Sequence, residues 1–414
     1  MVEIITFVIY LSIYIGLVAS TFYILSYLDY KKKPRRFFLE DELPSVSVLI
    51  PAYNEEKSIA KTIESILKID YPKEKIEIIV INNNSKDKTL EVAKKYEKFG
   101  VKVYTEKKQG KGCALNLGIS KAHGEIIFTM DADTFVESQS MKNMIQYFTN
   151  ERVMAVTPTM LVHEPKNIWQ RIQKMEYLLG VFLRKAFATL NAVYITPGAF
   201  SAYRKKFFDE HGGYDEKNVT EDIEMSLRIQ YNGYFIDNAA DAPVYTMTPS
   251  TFMGMLIQRR RWYFGYIKNV VKYRKIMGKE YGDLGLFIIP IGILSIAFSV
   301  FITLYLFLDN IIKLGNNINL LSNLNYNLNG FVKFNSYFFK SLFFNLITNP
   351  IFLFILFFIL IMGFYLYWAR ERIGNKEGFV FDLFLFFGLF AILFGFWWTV
   401  SLVYSIFKKD VKWR

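Results

Sequence analysis

The stretch Gly124-Glu125-Ile126-Ile127-Phe128-Thr129-Met130-Asp131-Ala132-Asp133 joins an apolar run to two carboxylates one residue apart. Ile126, Ile127, Phe128 and Met130 predict a strand buried on both faces, and ligands in an open α/β sheet gather beyond the carboxyl ends of such strands. The aspartates therefore belong at the mouth of a crevice. A carboxylate pair there can hold a Mg²⁺- or Mn²⁺-type cation, with coordination positions left for a diphosphate. A solvated turn would carry the same pair, so the neighbouring segments have to decide.

Around it, residues 44–248 alternate short apolar runs with amphipathic stretches. Strands are expected at Val46–Ile50, Ile76–Ile81, Val101–Tyr104, Glu125–Met130 and Val153–Thr157. Between them, Glu55–Ile69 sets Ile59, Ile63, Ile66 and Leu67 on one helical face, and Asp87–Phe99 carries Leu90, Val92, Ala93 and Tyr96. This βαβ order implies a Rossmann-like, mainly parallel α/β sheet with helices on both sides. The strand ends carry ligand-friendly turns. Pro51-Ala52-Tyr53-Asn54-Glu55-Glu56 leads into a helix whose free amides suit an anion, with capping by Asn54 as the plainer alternative. Asn82-Asn83-Asn84-Ser85 offers amides to a base or ribose, or forms an Asx turn. Lys107-Lys108-Gln109-Gly110-Lys111-Gly112 predicts a flexible cationic loop before a helix near Cys113–Lys121, with Lys111 as a phosphate contact or the whole as an ordinary solvated loop.

The outer parts of the chain point to a membrane. With 52% apolar and 18% aromatic residues, an all-soluble protein is not expected. Ile4–Leu28 is free of charge and, at ~1.5 Å per residue, exceeds a ~30 Å hydrocarbon core. It is too long for a signal peptide. Lys31, Lys32, Lys33, Arg35 and Arg36 follow, which places residue 29 onward in the cytoplasm. The single cysteine, Cys113, excludes an intrachain disulfide and suits a reducing compartment. The net charge of +12 concentrates at 31–36, 259–261 and 408–414, beside apolar segments. That distribution fits anionic headgroups and bound phosphates and argues against nucleic acid. Leu284–Leu308, Leu353–Trp368 and Val380–Phe407 read as further spans, and Asn310–Gly330 as an external loop. Phe331–Thr348 contains Lys333 and Lys340 and is either an amphipathic segment or another span. The positive-inside tendency favours a span there, returning Lys408–Arg414 to the cytoplasm.

PAYNEE, the asparagine turn, DAD, Thr220-Glu221-Asp222 and Gln258-Arg259-Arg260-Arg261-Trp262 together resemble the motif series of the membrane-bound family 2 glycosyltransferases. That group includes the hyaluronan, chitin, cellulose and poly-N-acetylglucosamine synthases. The match covers residues 1–310 in order and spacing. It implies a GT-A catalytic domain over 31–248 after a membrane helix at 1–30, interface helices at 249–278 and an α-helical transmembrane region at 279–414. It also implies an inverting transfer from a nucleoside diphosphate sugar to a glycan or lipid-linked acceptor, amid membrane lipids. By resemblance, Asp133 binds Mg²⁺ or Mn²⁺, Asp131 binds metal or ribose, and Asp222 of the Thr220-Glu221-Asp222 catalytic motif is the base. Pro51, Ala52, Tyr53, Asn54, Glu55, Asn82, Asn83, Lys111, Gln258 and Arg261 are assigned to the donor, and Trp262, Gly198, Ala199, Phe200 and Ser201 to the acceptor. Asn82 and Asn83 stand where the family usually has acids, which leaves the base open although uridine is favoured.

The residues themselves add several expectations. Thr220 can cap a helix with Ile223, Leu227 and Tyr231 on its buried face, so Asp222 falls in the first turn. The helix end lowers that carboxylate's pKa and donor phosphates raise it, leaving the balance open. Pro249–Lys275 reads as an amphipathic interface helix, in which Arg259 and Arg260 can equally serve a lipid-facing Arg/Trp belt. His123, His163 and His211 lack ligand spacing. Chain extension with translocation is favoured over a single transfer to a lipid carrier. A silent membrane scaffold is disfavoured by the intact acidic motifs, and a nucleotidyltransferase gives no role to Trp262.

Overall fold

β-Branched runs flanked by helices can hide both faces only inside a layered sheet, and the chain builds one. The computed structural model describes residues 2–28, 35, 37–323, 336–373 and 379–407. In chain order it forms α1 (Val2–Leu28), β1 (Val46–Ala52), α2 (Ile59–Leu67), β2 (Ile76–Asn82), α3 (Thr89–Lys94), β3 (Lys102–Thr105), α4 (Lys111–Lys121), β4 (Ile126–Thr129), β5 (Thr134–Val136) and α5 (Ser140–Ile145). There follow β6 (Val153–Val162), α6 (Ile168–Thr189), β7 (Ser201–Arg204), α7 (Lys205–His211), α8 (Glu221–Tyr231), β8 (Phe235–Thr246) and α9 (Phe252–Lys272). The last four helices are α10 (Ile289–Asn323), α11 (Ser336–Thr348), α12 (Pro350–Ile373) and α13 (Phe379–Ile406).

One sheet of eight strands runs β3-β2-β1-β4-β7-β6-β8-β5. The expected parallel half is there, with β1 paired to β2 and β4, and β2 to β3. Beyond β4 the sheet becomes mixed, because β7 lies antiparallel to β4 and β6, and β5 antiparallel to β8. Alternation sorts the core. Val46, Val48, Ile50 and Phe128 face Ile59, Ile63 and Met141, whereas Leu49, Ile79 and Ile127 face Leu115, Phe207 and Leu227.

Several expectations change. The Asp87–Phe99 helix is shorter and ends in a 3₁₀ turn at Glu97–Phe99. Tyr231 is not on the buried face of α8; it is 37% exposed and stacks on Tyr281 instead. Asn310–Asn323, expected as a loop, continues α10 as helix. Among the described residues, four helices are long and apolar enough to cross a membrane: Ile4–Leu28, Leu284–Asn316, Pro350–Glu371 and Phe379–Ile406. The described part of the proposed extra span is α11, whose 13 residues reach only ~20 Å, short of a ~30 Å core. Lys31, Lys32, Lys33, Arg36, residues 324–330 and the basic end Lys408–Arg414 lie outside the described residues.

Candidate active site

The acidic turn after β4 faces the start of α4. Lys111, the first residue of α4, reaches Asp131 Oδ1 at 2.7 Å and Glu221 Oε1 at 2.8 Å, so one ammonium joins two strand-end motifs to α8. Gly198 makes that meeting possible, since a Cβ there would stand 2.3 Å from Lys111 Nζ and 3.2 Å from Asp131 Oδ1. Burial works against the Lys111 charge, but Asp131, Glu221 and Asp222 outweigh it and hold the amine above its usual pKa.

Asp222 occupies the first turn of α8. Burial pushes its carboxyl up to about 6 and Glu221 adds to the rise, while Lys111, the Ile223 amide and Arg261 pull the other way. Its side chain accepts from Ile223 N at 2.9 Å, and its carbonyl accepts from Thr196 Oγ1 at 2.9 Å. Thr220 stands at the N-cap position, yet its hydroxyl does not cap the helix. Asn269 Nδ2 donates to that hydroxyl at 3.0 Å, and Gly265 packs so closely that a Cβ would stand 2.0 Å from it. Thr220 is therefore the seat on which α9 docks.

That docking brings the Gln258–Trp262 motif to the acids. Lys272 Nζ meets Glu224 Oε1 at 3.1 Å and Asp215 Oδ2 at 2.9 Å, Tyr273 donates to Glu224 at 2.5 Å, and Asn269 bonds Asn218 at 2.6 Å. Arg261 lies close enough to act on Asp222. Gln258 Oε1 accepts from Gln173 Nε2 of α6 at 2.9 Å. Arg259 does not face lipid. It is 1% exposed, pairs through both Nη atoms with Glu176 of α6, one of them at 2.6 Å, and lies 4.5 Å from the Trp262 ring. Arg260 rests over Tyr404 at 4.6 Å. Trp262 is half-buried in an aromatic cluster with Tyr263, Trp397 and Trp398.

The other sequence-selected residues lie at the strand ends and turns around this junction. The amides of Asn54, Glu55 and Glu56 are not free for an anion; they donate to Ser85 Oγ, Thr89 Oγ1 and Asp87 Oδ2 at 3.1, 2.7 and 3.1 Å. Asn54 does not cap α2, which starts after Ser58, and takes a φ of +56° in the turn. Pro51 and Ala52 complete β1, with Ala52 O accepting from Asn83 N at 2.8 Å, and Tyr53 is half-buried at its end. Asn82 Oδ1 accepts from Ser85 N at 3.3 Å, the Asx-turn alternative. Asn83 is fully buried, donates to Lys108 O at 2.8 Å and accepts from Gly110 N at 2.8 Å. It ties the Lys107–Gly112 loop to the end of β2, and Lys108 pairs with Glu216 at the surface. Ala199, Phe200 and Ser201 are buried as they enter β7, with Phe200 against Phe128 at 4.7 Å, so of this group only Gly198 faces Lys111 and Asp131.

Asp133 is half-buried and acts electrostatically on Tyr177 of α6. Among the described residues no three His, Cys, Asp or Glu side chains form a complete metal cluster. Asp131 and Asp133 nevertheless fit Mg²⁺ or Mn²⁺, which take one or two carboxylates and complete their shell with phosphate oxygens. Asp131, Glu221 and Asp222 share the Lys111 ammonium, with Arg261 acting on Asp222, so a diphosphate would enter more readily with a divalent cation. Helix α6, which supplies Gln173, Glu176 and Tyr177, was missed in the sequence. Its signal was the Asn167 cap, which accepts from Trp169 N and Gln170 N, followed by buried Ile172, Met175, Leu178 and Phe182.

Residues 47–212 match the Glycosyl transferase family 2 profile. The poly-beta-1,6-N-acetyl-D-glucosamine synthase of Staphylococcus aureus (strain COL) is 30% identical over 259 residues, covering 61% of this chain and 62% of that one, less than two thirds of the relative's length. A probable glycosyltransferase of Bacillus subtilis (strain 168) is 28% identical over 407 residues, 90% of this chain and 86% of that one. A mannosyltransferase of Pyrobaculum calidifontis, solved with GDP-Man and Mn²⁺, superposes with a TM-score of 0.57 over 97% of this chain and all of its own, at 17% identity, a likeness of fold. The mixed sheet is thus of the GT-A type. Residues 47–212 are thus similar to the family 2 glycosyltransferases, and among the described residues they stand beside four helices long and apolar enough to cross a membrane.

Proposed function

We propose that the protein is an inverting glycosyltransferase that passes a sugar from a nucleoside diphosphate sugar, with UDP-sugars favoured, to a membrane-associated acceptor, extending a polysaccharide. The observation that carries this reading is the junction of Lys111, Asp131, Glu221 and Asp222, to which α9 delivers Arg261. Asp222, pushed up to about 6, is ionised at neutral pH and still basic enough to take a proton. An acceptor oxygen attacks the anomeric carbon, its proton passes to Asp222, and the bond to the diphosphate breaks on the opposite side. Lys111, Arg261 and Gln258 receive the charge that builds on the leaving diphosphate. Asp131 and Asp133 would hold Mg²⁺ or Mn²⁺, which supplies Lewis-acid stabilisation of the diphosphate when bound. The relative's name, a poly-beta-1,6-N-acetyl-D-glucosamine synthase, supports a polymeric product.

The test uses purified full-length protein in lipid nanodiscs with a panel of radiolabelled sugar nucleotides, with Mn²⁺, Mg²⁺ or chelator, followed by sizing of the product. Metal-dependent consumption of one donor and a product ladder are expected. A single lipid-extractable band would replace extension by one transfer, and inertness toward every donor would remove the enzyme assignment.

A further inference from the structure

One face of α6 carries Gln173, Tyr177, Gly180 and Arg184, at spacings that stack side chains along a helix. Arg184 is the anomaly. Its Nε and Nη2 are sealed from solvent and reach no hydrogen-bond acceptor among the described residues. Its electrostatic neighbours are the tyrosines 177 and 194, and no carboxylate acts on it. Arg184 is half-buried, and a guanidinium does not escape burial by losing its proton at neutral pH, so two sealed donors without a counter-ion carry a standing penalty. The same helix gives another guanidinium a counter-ion, pairing Glu176 with both Nη atoms of Arg259. Gly180 even makes room for Arg184, since a Cβ there would stand 3.1 Å from Nη1.

The surroundings say which way an anion would arrive. Arg184 does not share the Lys111 ammonium's carboxylates, although Tyr177 beside it also feels Asp133, so the pocket borders the donor's acids. Tyr194 adjoins the base: its carbonyl accepts from Ser226 of α8 at 2.5 Å, and two residues on, Thr196 holds the Asp222 carbonyl. On its other side the Tyr194 ring meets Tyr266 of α9 at 6.0 Å and Phe187 at 5.7 Å, and Phe187 meets Tyr23 of the apolar helix α1 at 5.3 Å. Tyr266 in turn faces Gly292 of α10, where a Cβ would stand 3.3 Å from its hydroxyl. The unpaired cation thus lies between the base and the apolar helices. Tyr177 OH accepts from Gln173 Nε2 at 3.2 Å, which leaves its own proton to donate.

We propose that Arg184, with the Tyr177 and Tyr194 hydroxyls, binds the linking phosphate of a lipid-linked glycan acceptor, so that the sugar on that phosphate presents its hydroxyl to Asp222. This rests on the glycosyltransferase reading above and names the acceptor class for the same site. A base is needed to deprotonate a sugar hydroxyl, so the phosphate serves as anchor and the sugar oxygen as nucleophile. The anchor holds acceptors whose glycan is short and therefore governs the first transfers onto the lipid.

The full chain is tested with polyprenyl phosphate and the uncharged polyprenol in phosphatidylcholine nanodiscs, and retained lipid is read by native mass spectrometry. Transfer is measured to a polyprenyl phosphate-linked monosaccharide and to the neutral octyl glycoside of the same sugar. The parent should retain the phosphate over the alcohol by about tenfold or more, the range of one charge-assisted contact. Arg184→Gln should erase that preference and raise KM for the phosphate-linked acceptor about tenfold, with KM for donor and for the octyl glycoside within about twofold. Arg184→Lys and Tyr194→Phe, which keep the charge, should retain part of the preference and serve if the glutamine variant does not fold. Unchanged retention in Arg184→Gln, equal retention of phosphatidic acid by the parent, or an equal rise in donor KM would each overturn the proposal. Wild-type inertness toward all donors would instead remove the enzyme reading, while lipid retention would still judge the Arg184 site.

Discussion

At Asp222 two opposed effects could be named from the sequence but not weighed: a helix N-terminus that favours charge and a crowded site that resists it. Burial wins, with Glu221 assisting, because Lys111 is shared with Asp131 and Glu221. The pH dependence follows from the sign. The folded pKa of about 6 lies above the ordinary 3.8, so ionisation is resisted in the folded state. Stability carried by the protonated form is full below the ordinary value and is lost as pH rises through about 6. Asp222→Asn should therefore raise the thermal midpoint of the solubilised protein near pH 8, with the gain vanishing below pH 4. In the same variant transfer should fall by about 10²–10⁴-fold while donor binding by calorimetry survives. For the parent, kcat/KM should climb with pH and level off above about 6. Lys111→Met removes a charge that pulls this pKa down, so the acidic limb should move to higher pH and donor KM should rise. A limb that stays in place would detach Lys111 from the base.

Among the elements, α9 decides whether the acids and the arginines share a site, and its seat is a glycine. Gly265→Ala drives a Cβ into the Thr220 side chain, at the N-cap of α8. Overpacking of this kind costs about 1–3 kcal/mol. Transfer should fall further than stability, because Arg261 moves with the helix. Gly363→Ala in α12, where a Cβ meets nothing within 4 Å, is the control and should be neutral in both assays. The parallel strands and the helices on them were legible in the sequence, since Val46–Ile50 and Ile76–Ile81 are apolar throughout and need no partner information to be read. The mixed half was not. Phe235–Thr246 is a 12-residue strand interrupted by Asp237, Asn238, Asp241 and Pro243, and its alternation is broken where it shifts register against β6. Ser201–Arg204 hid inside a glycine-led segment read as an acceptor loop. The positions legible in motifs and brought together by the fold were those with charge, Lys111, Asp131, Asp222 and Arg261. Asn83, Thr220 and Arg259 proved to hold other parts in place, a duty that depends on partners 20 or more positions away and leaves no local pattern.

Across the whole molecule, the catalytic sheet is fastened to the apolar helices through α6. Asp382, near the start of α13, is fully buried and takes Arg171 Nη1 and Lys174 Nζ at 2.8 Å each. The same helix carries Gln173 and Glu176 to the Gln258–Trp262 motif, so a displacement of α13 would reach the donor site along a single rigid element. A buried acid between two bases is sensitive to its own removal. Asp382→Asn would leave two like charges facing each other, whereas their side chains, 35% and 22% exposed, could partly turn to solvent. The loss should therefore stay below the ~3–5 kcal/mol typical of a broken buried pair. Expected outcomes are a lower temperature of inactivation and a several-fold fall in kcat with donor KM unchanged. Adding Arg171→Gln restores the parent's local charge balance and should recover part of the inactivation temperature, a rescue that a simple packing defect at Asp382 would not give. Equal inactivation temperatures for the parent and Asp382→Asn would mean that α13 is held to the catalytic domain by its aromatic contacts with α9, Tyr263 on Trp398 at 4.0 Å foremost, and not by this ion cluster.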